Sequence, residues 1–173
     1  MAIKTTRDAI GPEKLAPGVM PGAVRRGASV SASNYVVSAP WASTGGGIEY
    51  AFTLSPGGSY TNGNVLGRTG AGNFHLVLDG GGSLRVTGHV ENILSTPADT
   101  FLLDHRHEVR VVLESGASSL LVDGVVINTS TATFAHSTTP IAVYIGSASA
   151  NQYGTVGILS DVKLIDLADD TNT

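Results

Sequence analysis

A chain of 173 residues is about one domain long, and 42% hydrophobic against 14% charged residues gives it enough apolar side chains for a packed core. It has no cysteine, which excludes disulfides, zinc ribbons and thiol catalysis. The net charge of −4 is unevenly spread. Five of the ten basic residues fall in the first 26 positions against two acids, giving +3; the other five face twelve acids, giving −7.

Residues 1–27 carry Pro12, Pro17 and Pro21 among four glycines and show neither a 3.6-residue nor a 2-residue apolar period. They read as an extended basic arm, which on charge alone is either a solvated end or a tail that docks on an acidic partner through Lys4, Arg7, Ile10, Lys14, Leu15, Arg25 and Arg26. Met1 to Asp8 lacks the apolar stretch of a signal peptide, and no run approaches the ~20 residues of a membrane span. The expectation is synthesis in a host cytoplasm.

Alternation begins after Ala28. Ile48, Tyr50, Phe52 and Leu54 point one way and Glu49, Ala51 and Thr53 the other, which marks a half-buried strand stopped by Pro56-Gly57-Gly58. Val65-Leu66 predicts a short strand. Phe74, Leu76 and Leu78, the turn from Asp79 to Gly82, and then Leu84, Val86 and Val90 predict a hairpin. Val109, Val111 and Leu113 form another strand, turned by Glu114 to Ala117. Leu120 and Val122 run into Asp123-Gly124, a strong hairpin signal, and Val125-Val126-Ile127 returns. Ile141, Val143 and Ile145, then Val156 and Ile158, then Val162, Leu164 and Ile165 close the chain. Nine to eleven short strands and no helix predict an all-β, antiparallel two-sheet jelly-roll sandwich over 28–173, carrying the arm at its N-terminus.

Three stretches resemble the concanavalin A-like lectin/glucanase superfamily, and its laminin G-like branch in particular. They are His105-Arg106-His107-Glu108-Val109-Arg110-Val111-Val112-Leu113, the hairpin Leu120-Leu121-Val122-Asp123-Gly124-Val125-Val126, and the pair Ala142 to Ser147 with Gly157 to Leu164. The resemblance covers about residues 45–167. Leu103-Asp104 stand where the family often has a tryptophan before the histidines. The resemblance implies a jelly roll of two curved sheets. It leaves function open, because the fold hosts lectins, glycosidases, adhesion modules and viral coat components.

Retaining glycosidases need two carboxylates about 5.5 Å apart, which a strand supplies from alternate positions. None of Glu13, Glu49, Glu91, Glu108 and Glu114 has an acid two residues away. Asp104 and Glu108 would share a strand face at roughly 13 Å, which is too far. The expectation is therefore no catalytic residue. His105 and His107, two residues apart, would share one strand face and could clamp a transition metal, but the resemblance gives histidines here a structural role. Calcium would use Asp79, Asp123 and Asp161, although turn formation also explains the first two, which precede glycine. The glycines of Gly67 to Gly72 lack the following helix that a phosphate loop requires. An acidic body without a stacking platform gives no reason to expect nucleic acid. Sugar binding would combine an aromatic platform with amide groups, and Trp41, Tyr60, Asn62, Asn151 and Tyr153 are the loop residues of that kind.

Two functions follow as expectations. One is a non-catalytic virion structural protein, a capsid decoration or tail-attached component held in a homo-oligomeric assembly by its arm. The segment Ile3 to Pro12 resembles the start of phage tail or adaptor proteins, which implies capsid or tail partners and a place on the virion surface. The alternative is a lectin-like module that binds surface glycans without a cofactor.

Overall fold

The computed structural model describes residues 28–30, 35–38, 40, 45–57, 63–67, 74–88, 92–147 and 157–169. The predicted arm 1–27 lies outside them. They form two six-stranded antiparallel sheets. The first, in spatial order, contains β1 (Ala28–Val30), β12 (Gly157–Asp166), β3 (Ile48–Pro56), β8 (His107–Leu113), β9 (Ser118–Val122) and β10 (Val125–Ser130). The second contains β2 (Val36–Val37), β11 (Tyr144–Ile145), β4 (Gly63–Gly67), β5 (His75–Leu78), β6 (Leu84–Thr87) and β7 (Asn92–Ser95). Among the described residues the helical content is one 3-10 turn, Leu167–Asp169, and no helix is long and apolar enough to cross a membrane. This is the predicted jelly-roll sandwich, with twelve strands among the described residues where nine to eleven were expected.

The core lies between the sheets and is built by period-two alternation. Ile48, Tyr50, Phe52 and Leu54 of β3 face inward beside Val109, Val111 and Leu113 of β8 and Leu120 and Val122 of β9. Leu66, Leu76, Val86, Leu94 and Ile145 supply a facing row from the second sheet. Each such side chain, fully buried, contributes roughly 1.5–3 kcal/mol. The Asp123-Gly124 hairpin forms as predicted, with φ of 51° and 79° at its two central residues, the pair of positive values that a two-residue type I′ turn demands. At the other hairpin Asp79 Oδ1 accepts the N–H groups of Gly81 (3.0 Å) and Ser83 (3.1 Å), so the side chain holds the turn.

Three details depart from the sequence reading. The closing segment is one continuous strand, β12, with a register shift between Ser160 and Lys163 and Asp161 at φ 55°. The extra residue reverses the alternation. Leu159 is therefore buried with Val162 and Leu164, and Ile158 is 52% exposed. Residues 141 and 143 do not extend β11, which keeps only Tyr144 and Ile145; Val143 instead exchanges hydrogen bonds of 2.9 Å with Ser38. Finally, Glu49 and Thr53 face away from the core yet are buried. Long cationic side chains lie over them: Arg110 binds Glu49, and Arg106 reaches Thr53.

Candidate functional site

The outer face of the first sheet carries the most elaborate group of polar side chains among the described residues. One row runs across four strands, Lys163 on β12, Ala51 on β3, Arg110 on β8 and Leu121 on β9, each directly opposite the next. The adjoining row holds Ser160, Thr53 and Glu108. Ala51, the smallest of these, leaves a depression between the two cations that flank it. The resulting cleft, about 540 Å³, is lined by Thr53, Arg106, Glu108, Arg110, Asp161 and Lys163 around a floor of Ala51 and Leu121.

The charges are tied down to different degrees. Arg110 Nε and Nη2 donate to Glu49 Oε1 and Oε2 at 2.8 and 2.7 Å, a parallel two-bond pair. The Glu49 side chain is 10% exposed and Arg110 56%, so the carboxylate forms the buried end. The hydrogen bond to Glu49, with its charge, raises the Arg110 guanidinium above its ordinary value and keeps it cationic. Arg106 Nη2 lies 3.5 Å from Thr53 Oγ1 and 3.9 Å from Asp161 Oδ2, with both charged side chains at least half exposed. Lys163 has no acidic partner within 4 Å among the described residues.

The predicted carboxylate and histidine pairs are not built as expected. Asp104 sits at φ 59° in the turn before β8, so it shares no strand face with Glu108. Glu49 and Glu108 do share the outer face, but Glu49 lies opposite Val112, four residues along β8, or about 13 Å away. His105 also precedes the strand and is exposed, whereas His107 opens it. The His107 ring has structural partners on both nitrogens. Nδ1–H donates to Asp123 Oδ2 (2.9 Å), and the Leu102 N–H donates to Nε2 (3.4 Å). Phe101 packs edge-on at 5.2 Å.

The calcium candidates are dispersed. Asp79 holds its turn and lies 3.5 Å from Arg85. Asp123 Oδ1 accepts the Glu108 N–H at 2.8 Å while Oδ2 accepts from His107. Burial pulls the Asp123 carboxyl upward, but these hydrogen bonds outweigh it and hold the group below its ordinary value. Asp161 belongs to the β12 bulge. Among the described residues no three His, Asp or Glu side chains gather around one position.

The residues singled out from sequence for partner and glycan contact lie outside the described ones. These are Lys4, Arg7, Ile10, Lys14, Leu15, Arg25 and Arg26 of the arm, and Trp41, Tyr60, Asn62, Asn151 and Tyr153 of the loops. The cleft residues were passed over, though a local signal existed. Arg106, Glu108 and Arg110 occupy alternate positions, the last two on the face of β8 opposite Val109 and Val111. In a chain with only 14% charged residues, three charges at alternate positions, two on the outer face of β8 and Arg106 just before it, stand out. Their meeting with Lys163 and Glu49 is set by strand pairing across the sheet, which the sequence does not display.

Similar solved structures include β-sandwich domains. One is domain 4 of the extracellular arabinanase AbnA from Geobacillus stearothermophilus, in complex with arabinotriose (TM-score 0.64, 11% identity, covering 81% of this chain and 70% of that one). Another is the Trypanosoma rangeli sialidase in complex with 2,3-difluorosialic acid (TM-score 0.59, 16% identity, 86% of this chain). The present chain spans only 26% of that sialidase. At these identities the likeness establishes the fold alone. No curated protein matches the sequence. The family model described as the concanavalin A-like lectin/glucanases superfamily matches residues 30–168, and the chain belongs to that family.

Proposed function

We propose that the chain is a non-catalytic glycan-recognition module whose ligand lies in the cleft over β12, β3 and β8. The observation that carries this reading is the composition of the cleft. A sugar hydroxyl donates and accepts at once, and here donors (Arg106, Arg110, Lys163) and acceptors (Glu108, Asp161, Thr53) surround an apolar floor of Ala51 and Leu121 on which a ring can lie. Arg110 stands on a paired strand and is fixed by Glu49, so this side chain needs little ordering on binding. The arabinotriose complex of the arabinanase domain supports the reading at the level of fold. The separation of Glu49 from Glu108, with Glu49 already engaged by Arg110, supports recognition without hydrolysis. The virion reading rests on residues 1–27, outside the described residues, and the comparisons lend it no support.

A glycan array probed with the full chain tests the proposal, with Ala51→Trp as the variant that fills the cleft. At least one saccharide is expected to bind, to lose binding in Ala51→Trp, and to be recovered uncleaved. Absence of any glycan ligand, or undiminished binding by a folded Ala51→Trp protein, would refute it.

A further inference from the structure

Building on the glycan reading, we infer that the cleft is specific for a carboxylate-bearing sugar, whose acid group is seated between Lys163 and Arg106 and whose hydroxyls face Glu108. The first ground is the distribution of charge. Beyond residue 27 the chain is −7 and holds five basic residues, Arg68, Arg85, Arg106, Arg110 and Lys163. Three of these five line this one cleft. Glu108 and Asp161 line it too and Glu49 neutralises Arg110, so the cleft carries no net charge on a body that is otherwise acidic, and what favours an anion there is the state of the individual cations.

The second ground is what those cations lack. Lys163 has no counter-ion within 4 Å among the described residues. Among the described residues Arg106 is held only by the long, solvent-exposed contact with Asp161 and the 3.5 Å contact with Thr53. Such a pair is worth little and yields readily to a better acceptor. Arg110 differs, because Glu49 engages both its Nε and its Nη2. A carboxylate over Thr53 would thus find an unpaired ammonium on the β12 side and a displaceable guanidinium beside it.

The acids in the cleft set the orientation. Glu108 lies opposite Thr53 on β8, so a ligand carboxylate is repelled from that side and drawn toward β12. Glu108 has no cationic partner within 4 Å among the described residues and accepts from hydroxyls instead. Asp161, next to Arg106, is the group the ligand acid displaces, and its exposed position returns it to water at small cost.

The test titrates the isotope-labelled full chain with trigalacturonate and with 3′-sialyllactose, each against a neutral partner: the fully methyl-esterified trimer and lactose. At least one acid is expected to bind about tenfold or more tightly than its partner, to move the amide signals of Ala51, Thr53 and Lys163, and to weaken as salt is raised. Lys163→Gln and Arg106→Gln, both on exposed side chains, are each expected to cut the affinity for the acid by about tenfold and to narrow its margin over the neutral sugar. Neutral partners binding as tightly as the acids would overturn this inference and leave the glycan reading standing. Acetate moving the same signals at the same concentration would overturn it too, since a bare anion would then suffice. If no saccharide, acidic or neutral, moves the cleft signals, both readings fall together.

Discussion

Replacing Arg110 by alanine should cost the fold more than replacing Glu49 by glutamine, although the two side chains form one ion pair. The reason is the unequal burial of its ends: 10% exposure for the Glu49 side chain and 56% for Arg110. Glu49→Gln leaves a guanidinium that water already reaches, and the amide oxygen keeps one of the two hydrogen bonds, so a loss of about 1 kcal/mol is expected. Arg110→Ala removes both donors and strands a nearly buried carboxylate, for which about 2–3 kcal/mol is expected. In a protein of this size that corresponds to a drop in Tm of about 4–12 °C, against about 2–4 °C for Glu49→Gln. The double variant should be more stable than Arg110→Ala alone, because a neutral amide replaces the stranded charge. Urea unfolding of the four proteins at pH 7 measures all three differences. If Glu49→Gln proves as costly as Arg110→Ala, or the double variant is the least stable, burial of the acid is not what makes the pair matter.

Three other outcomes follow from the geometry. Gly157 opens β12 at φ 155°, and a Cβ there would come within 2.5 Å of the Ser55 carbonyl oxygen, a backbone atom that cannot step aside. Gly157→Ala should therefore destabilise by about 2 kcal/mol or more, seen as an earlier thermal unfolding transition. Asp123→Ala removes two acceptor contacts and places a residue poorly suited to positive φ at 51°, and should cost about 2 kcal/mol; Asp123→Asn, which tolerates that conformation, should cost less. Burial holds the His75 imidazole below its ordinary 6.5. The unfolded chain then binds the proton at higher pH than the folded one, so stability should fall as pH drops from 6.5 toward the folded value. Denaturant midpoints between pH 7.5 and 5 should show that slope, and His75→Gln should flatten it. Asp123 shifts in the same sense but acts in a separate window, its contribution being lost only below its ordinary value of 3.8.

The parts of the fold that could be read from sequence are those written in local patterns. The alternation of Ile48, Tyr50, Phe52 and Leu54 and the Asp123-Gly124 turn each depend on neighbours a few residues away, and both were found where expected. The bulge at Asp161 could not be read, since one extra polar residue in a strand looks like any exposed position until its partner on β3 is known. The same limit hid the cleft. Arg106, Glu108 and Arg110 were visible as alternating charges, but Lys163 and Glu49 reach them only through the order of β12, β3 and β8. The histidines do not share a strand face as their spacing suggested, because spacing alone cannot tell that β8 begins at His107, leaving His105 outside it. Trp41, Tyr60 and Tyr153 were chosen by residue type in loops, where no periodicity fixes which way a side chain points.

The position of β12 bears on how the molecule is made. It pairs with β1 on one side and with β3 on the other, so it is an interior strand of its sheet although it comes from near the end of the described chain. As the polypeptide leaves the ribosome, β3 has its β8 partner about 60 residues later but must wait for more than 100 residues for the other. During that interval one whole edge of Ile48 to Pro56 exposes unpaired peptide groups along an apolar strand, the kind of template on which chains aggregate. Completion of the sheet by so distant a segment gives a high contact order and predicts slow folding, in milliseconds to seconds. A chain cut short before residue 157 would keep that edge open permanently, so nascent or truncated forms, more than the finished molecule, are where misassembly should concentrate.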